Sequence, residues 1–207
     1  MTSRRSLTDY PRPSVAVDTA ALTVLHGALC VGVLRDPRSS ARRLPGTFLH
    51  EGETLADAVR RSLRDKAGIE GVVPAQLQVF DAPGRDSRGW VLSVAYVAVV
   101  RADAFGTLDI VPVDEATGLD FDHDAIVRLA VERLRADYAE HPDPAGLLSE
   151  PFTIAELRSV HEAVAGRRLQ PDTFRRRMLP TLAETGALQR GTVGKPAALY
   201  VRRTPGA

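Results

Sequence analysis

Two rhythms of apolar residues run along the chain, and the switch between them marks the elements. Residues 15–17, 21–25 and 28–34 are alternating or continuous apolar stretches, with His26-Gly27 breaking the last two as a turn. Two strands joined by a hairpin are expected there. A polar loop over 35–43 follows, holding Pro37, Ser39 and Ser40, and Leu44-Pro45-Gly46 leads into a short strand and turn. The spacing then changes to three and four. Leu55, Ala58, Val59 and Leu63 form one face of a helix over 53–67. Thr54 caps it with Asp57 three residues on, and Gly68 ends it. Strands are expected over 75–80 and 91–100, separated by the polar loop 81–89, and a second amphipathic helix over 121–138, with Ile126, Ala130 and Leu134 on its apolar face.

The pattern breaks at His141-Pro142-Asp143-Pro144-Ala145-Gly146, whose composition is that of a linker. Beyond it, a helix over 153–165 is capped by Thr153 with Glu156 and carries Ile154, Leu157, Val160 and Val164 on one face. Arg167-Arg168-Leu169 forms a turn. A second helix over 172–182 begins at Pro171 or Asp172, and Pro180 interrupts its end. Residues 187–190 and 197–202 flank a Gly-rich turn as a hairpin. Helix, helix, hairpin is the winged-helix order. The expected organisation is an arm over 1–14, a domain over 15–140, a linker over 141–150 and a winged-helix domain over 151–207. The fold class is α+β.

Composition alters this picture at two points. With 26% charged and 44% hydrophobic residues the chain is an ordinary globular one. It has no apolar run of about 18 residues that could span a membrane. No apolar core follows Arg4-Arg5, so the start does not read as a signal peptide. The single cysteine, Cys30, lies in an apolar run. A buried thiol and a reducing, cytoplasmic setting are expected. The net charge of +1 conceals a division: residues 1–150 carry 17 basic and 22 acidic side chains, residues 151–207 carry 10 and 4. A basic module joined to an acidic one suits nucleic-acid binding. In the second of its helices Phe174, Met178 and Leu182 share an inward face. Thr173, Arg175, Arg176 and Arg177 are left for base edges and phosphates, as a recognition helix requires. Arg167 and Arg168 in the turn and Arg190 and Lys195 in the presumed wing extend the basic surface, with Arg202 and Arg203 beyond it.

The candidate chemistry of the first domain lies between residues 44 and 69. Leu44-Pro45-Gly46-Thr47, Gly52-Glu53, Arg61 and Gly68-Ile69 stand in the register of the Nudix box, and the segment resembles it. That motif is a loop–helix–loop whose glutamates hold Mg²⁺ against a diphosphate. The resemblance places its helix carboxylates at Ser62, Asp65 and Lys66. Serine removes one carboxylate, aspartate shortens another, and lysine puts a cation where the dication would sit. Two unit charges 4 Å apart repel by about 4 kcal/mol at an effective dielectric near 20. Glu53, Ser62, Asp65 and Lys66 are therefore read as degenerate metal positions, with no metal, no cofactor and no efficient hydrolysis expected.

Asp81-Ala82-Pro83-Gly84-Arg85-Asp86-Ser87-Arg88-Gly89-Trp90 resembles the loop that precedes a long strand in ADP-ribose-type Nudix proteins. Guanidinium forks at Arg85 and Arg88 suit a diphosphate, and Trp90 suits a base or ribose edge. Arg35 is a further candidate ligand contact. For Asp122 and His123, capping or packing at the start of a helix is the expected role. The damaged box, the loop at 85–90 and the stretch Phe174-Arg175-Arg176-Arg177 … Gly194-Lys195-Pro196-Ala197-Ala198-Leu199-Tyr200 together resemble the NrtR family, Nudix-related transcriptional regulators of NAD metabolism. The resemblance implies a homodimeric repressor that is released from a palindromic operator by ADP-ribose or a related nucleotide. The alternative is a Nudix hydrolase acting on ADP-ribose-like substrates with Glu53, Asp65 and a carboxylate from Asp114, Glu115 or Asp120.

Overall fold

Strand β1 (Ser14–Leu25) is buried without alternation from Ala16 to Thr23, because neighbours cover both of its faces and both of its edges. It is one long strand where two apolar stretches were expected. The computed structural model describes residues 6, 9–37, 39, 41–189 and 196–203. The C-terminal half of β1 pairs antiparallel with β2 (Ala28–Arg35) through a two-residue turn, His26 and Gly27, both at positive φ. Its N-terminal half pairs antiparallel with β4 (Gly46–Phe48), which follows the two-residue β3 (Arg42–Arg43). Along its other edge runs β6 (Val91–Val99), parallel to it, and outside that β5 (Ala75–Phe80). A strand not anticipated from the pattern, β7 (Asp109–Pro112), pairs with β2.

Helices cover the two faces of this sheet. Helix α1 (Leu55–Ala67) places Ala58, Val59 and Leu63 against Val17 and Ala21 of β1. Thr54 and Asp57 form the expected capping box, worth about 1 kcal/mol, and Gly68 closes the helix at φ 66°. On the opposite face α2 (His123–Glu140) packs Ile126, Ala130 and Leu134 against Leu22, Val31 and Val33. It starts two residues later than expected, because Phe121 stands at φ 60° and Asp124 takes the Gly118 and Leu119 amides in its carboxylate. The result is an α/β/α sandwich.

The C-terminal part has its own small core of Phe152, Leu157, Phe174, Met178, Leu182 and Tyr200. Strand β8 (Phe152–Thr153) leads into α3 (Ile154–Ala165), whose capping box joins Thr153 and Glu156. Helix α4 (Pro171–Met178) is shorter than expected. Pro180 supplies no amide, so the chain tightens into a 3-10 turn over Leu179–Thr181, and Leu182 begins a strand instead of closing the helix. That strand, β9 (Leu182–Gln189), pairs with β10 (Ala197–Arg202), which also pairs with β8. A bulge in β9 is made by Gly186 at φ 76°, with Thr185 donating its hydroxyl to the Leu199 carbonyl.

The two parts are packed together. Val160 and Val164 of α3 belong to the same apolar cluster as α2 and the central sheet. The proline-rich segment between them, expected as a linker, contains a fully buried aspartate, Asp143. Its carboxylate accepts from the Tyr138 hydroxyl at 2.6 Å and from the Leu147 and Leu148 amides, and pairs with Arg202 at 2.6 Å. Its own amide donates to Nε2 of the buried His161. The connection is held by specific bonds to both parts.

Candidate ligand pocket and DNA-reading helix

A cavity of about 320 Å³ opens where β1, β4, α1 and the 85–90 loop meet, and charged side chains dominate its lining. Its floor is made by the lone acid of β1. Asp18 is 8% exposed and accepts a 2.6 Å hydrogen bond from the Ser93 hydroxyl. Burial pushes its carboxyl up. The His123 ring facing it at 3.4 Å, Ser93 and the Arg85 guanidinium outweigh that and hold it below the usual carboxylate range. His123 accepts the Leu44 amide proton on Nδ1, and its Nε2 faces Asp18 Oδ1 at 3.4 Å. Capping or packing was the role expected of His123, and it packs under the box loop, where it also lines the pocket. Gly46 is required beside it, since a Cβ there would fall 1.9 Å from Asp18 Oδ1 and 2.8 Å from the Val17 carbonyl.

The two arginines of the 85–90 loop both line the cavity, in different states. Arg85 is 4% exposed in its side chain, bonded twice to Asp122 at 2.8 and 2.5 Å, and 3.5 Å from Asp18. It is the positive centre of a buried ion cluster. Arg88 is 64% exposed and is pinned by Asp86, whose carboxyl its guanidinium draws down to about 2. Its guanidinium lies 5.5 Å from the Phe48 ring and 5.6 Å from the Phe121 ring, and both rings are exposed at the mouth. Arg35 is not brought to the pocket: it ends β2 and pairs with Asp109 on the neighbouring strand at 2.8 Å. Trp90 also lies outside the lining. It is 54% exposed just ahead of Val91, which does line it. Asp18, Arg43, Phe48 and Phe121 line the site and were missed. For Asp18 a signal existed, a single charged residue inside an otherwise uncharged and mostly apolar strand.

The box helix presents its degenerate positions separately. Both Glu53 oxygens are taken by Arg61 at 2.8 Å, which with the His50 amide holds the carboxyl down to about 2. Arg61 also reaches Thr47 and the Phe48 carbonyl, so it ties the box loop to its helix. Ser62 is buried. Asp65 is half exposed and pairs with Arg64. The Lys66 ammonium lines the cavity and donates to the Gly46 carbonyl. Partial burial and the neighbouring Arg43 pull it below the usual lysine range. A sandwich with this box implies Mg²⁺, and the residues present do not fit one: among the described residues no group of three or more acid, histidine or cysteine side chains could hold a metal ion.

On the C-terminal part, Phe174 and Met178 anchor α4 inward while Thr173, Arg175, Arg176 and Arg177 are exposed. The Gln170 side chain caps the helix by accepting from the Thr173 amide. Arg167 and Arg168 are exposed in the turn before it, and Arg168 is 94% exposed beside Glu162. Among the described residues Arg167, Arg175, Arg176 and Arg177 pair with no carboxylate. Lys195 and Arg190 lie outside the described residues. Of Arg202 and Arg203, expected to extend the basic surface, Arg202 turns inward and Arg203 stays exposed. Arg202 pairs with Asp143 and Glu150 and stacks on Phe152, and Arg203 donates to the Leu182 carbonyl.

A Nudix-type sandwich with this cationic pocket, joined to a winged helix whose α4 exposes arginines, is the architecture of a ligand-responsive transcription regulator. Residues 144–201 match the model of the NrtR DNA-binding winged helix domain. Over 93% of its length the chain is 31% identical to the ADPR responsive transcriptional repressor NtrR of Acinetobacter baylyi, covering 83% of that protein. It superposes on the crystal structure of Shewanella oneidensis NrtR bound to a 27mer DNA with a TM-score of 0.77 and 31% identity, covering 91% of this chain and 93% of that one. A shorter match, 29% identity over 58% of this chain and 73% of the other, is to the ADP-ribose pyrophosphatase of Methanocaldococcus jannaschii. The chain belongs to the NrtR family. No helix among its described residues is long and apolar enough to cross a membrane.

Proposed function

We propose that this protein is a transcriptional repressor that binds operator DNA through α4 and is released when ADP-ribose or a related nucleotide enters the Nudix-type pocket, which does not hydrolyse it. The observation that carries the reading is the pairing of two features in one chain. The pocket is ringed by Arg43, Lys66 and Arg88 with its metal carboxylates gone or spoken for. The helix that would enter a major groove carries arginines free of carboxylate partners. Relatives named as an ADPR-responsive repressor and as a DNA-bound regulator support both halves. A homodimer on a palindromic operator upstream of NAD synthesis or salvage genes completes the reading, as the family resemblance implies. Domain limits of 15–140 and 151–207, with a short connection, go with this reading: the second part has its own core around Phe152 and Phe174, and Val160 and Val164 of α3 pack it onto the first.

Gel-shift titration tests it. The protein should retard its operator, and ADP-ribose should release it while unrelated sugars do not. Retardation that no nucleotide reverses would sink the sensing half. The competing hydrolase reading draws on the pyrophosphatase relative and on Glu53. It predicts AMP release from ADP-ribose that Glu53→Gln abolishes. With both Glu53 oxygens bound to Arg61, no release above background is expected.

A further inference from the structure

The absent metal ligands have a positive counterpart, and it rests on the effector reading above. A diphosphate brought into a cavity of about 320 Å³ needs its charge matched. In metal-dependent relatives of the fold a divalent cation bridges phosphate oxygens and helix carboxylates. Here α1 offers no such carboxylates on the cavity side. Glu53 is held bidentate by Arg61, Ser62 is buried in the helix interface, and Asp65 faces away toward Arg64. What α1 does offer the cavity is the Lys66 ammonium, fixed by its hydrogen bond to the Gly46 carbonyl. An ammonium has three donors, so the bond to Gly46 leaves two for a ligand. Arg43 lines the same cavity and, among the described residues, pairs with no carboxylate. Arg88 lines it from the facing loop, held by Asp86 with its guanidinium largely exposed.

We infer that the pocket binds the diphosphate of its effector without a divalent cation, the Lys66 ammonium, with Arg43 and Arg88, supplying the positive charge that Mg²⁺ supplies elsewhere in the fold. The substitution at residue 66 is then a replacement of the metal by a side chain and not simply a damaged ligand. A cation carried on the fold is present at every metal concentration, so effector sensing becomes independent of Mg²⁺. The two carboxylates that line the cavity are already taken, Asp18 by Ser93, Arg85 and His123 and Asp86 by Arg88, so added Mg²⁺ finds no free acidic seat and meets the ammonium's repulsion. It can act only by chelating the free nucleotide.

Calorimetric titration of the full chain with ADP-ribose and with inorganic pyrophosphate, each in EDTA and in millimolar Mg²⁺, decides this. The wild type should bind both ligands in EDTA, with affinities that Mg²⁺ does not raise. Lys66→Met should weaken pyrophosphate by about tenfold or more in either condition, the loss of one charge-assisted contact. Lys66→Glu should weaken it further in EDTA and recover part of the loss in Mg²⁺, since it rebuilds an acid of the box. Retained operator binding by each variant reports an intact fold, and Arg43→Gln gives a second route should one variant not fold. Wild-type affinity for pyrophosphate that rises about tenfold with Mg²⁺, or a Lys66→Met variant that binds like the wild type, overturns the inference. Pyrophosphate bound in EDTA while ADP-ribose is ignored leaves the metal-free site standing and removes the effector assignment. No binding of either ligand overturns both.

Discussion

Arg85 and Arg88 leave the same loop, and by spacing alone they are equivalent. The difference is in what lies around them. Arg85 points into a cluster containing Asp18 and Asp122 and is almost fully enclosed, whereas Arg88 keeps one face to solvent between two aromatic rings. Removing one partner of a buried ion pair leaves an uncompensated charge, at a cost of about 3–5 kcal/mol. Arg85→Met should therefore lower the thermal midpoint sharply, before any question of ligand binding arises. Arg88→Ala should lower the midpoint less, because the buried Asp86 keeps the Arg88 backbone amide and the neighbouring Arg85 charge, and it should weaken ADP-ribose as well. Differential scanning calorimetry and ligand titration on the two variants check this, and equal loss of stability in both would refute it. The loop's chemistry was legible in the sequence, since two guanidinium forks beside a box loop could be read there. Its division of labour was not, because Asp18 and Asp122 reach Arg85 only through the tertiary fold. Arg35 lies away from the cavity for a related reason: its partner Asp109 is on β7, which left no periodic signal.

At the scale of elements, legibility tracked local chemistry. Both capping boxes, the glycine end of α1 and the hairpin turn at His26-Gly27 are written in a few consecutive residues, and the structure has them. The order of the connection over 141–150 comes from elsewhere in the chain. Tyr138, His161 and Arg202, which hold Asp143, are supplied by α2, α3 and β10. His161 sits edge-on between Tyr138 and Phe174, with ring centroids 4.9 and 5.0 Å away. Burial, with Arg177 of α4 adding repulsion and the Tyr138 carbonyl opposing, draws the imidazole down to about 4. A histidine whose folded value is depressed favours the neutral ring in the fold. Its contribution is complete above the unfolded value near 6.5 and is lost as pH falls from there toward 4. The size of that loss is about 3 kcal/mol. Asp18, also depressed, adds its own loss only below the ordinary carboxylate range, so the two limbs separate. Urea midpoints between pH 7.5 and 4.5 should fall along this limb, and His161→Phe should flatten it while lowering stability throughout by orphaning the Asp143 amide. A slope unchanged in that variant would place the acid sensitivity elsewhere.

For the molecule as a whole, α2 is the element that runs from the cavity to the neighbourhood of α4. His123 at its start lines the pocket, and Tyr138, near its end, bonds to Asp143 and stacks on His161, which stacks on Phe174 of the reading helix. Fifteen residues at 1.5 Å per residue place these ends about 22 Å apart on one rigid body. A ligand can change DNA affinity only by favouring one arrangement of the two parts over another. The coupling is reciprocal: the factor by which ADP-ribose weakens the operator complex must equal the factor by which operator weakens ADP-ribose binding. Tyr138→Phe deletes the hydroxyl that links α2 to Asp143 while keeping the ring in its stack. It should leave ADP-ribose affinity in free protein near wild type and the fold intact. The shared coupling factor should shrink by about fivefold, the lower end of ordinary allosteric couplings. Operator affinity measured with and without ADP-ribose, beside ADP-ribose affinity measured with and without operator, gives that factor twice. If both measurements return the wild-type factor in Tyr138→Phe, the helix end is not the route by which the pocket and the reading helix communicate. If the two disagree with each other, a third state, such as a change of oligomer, enters the cycle.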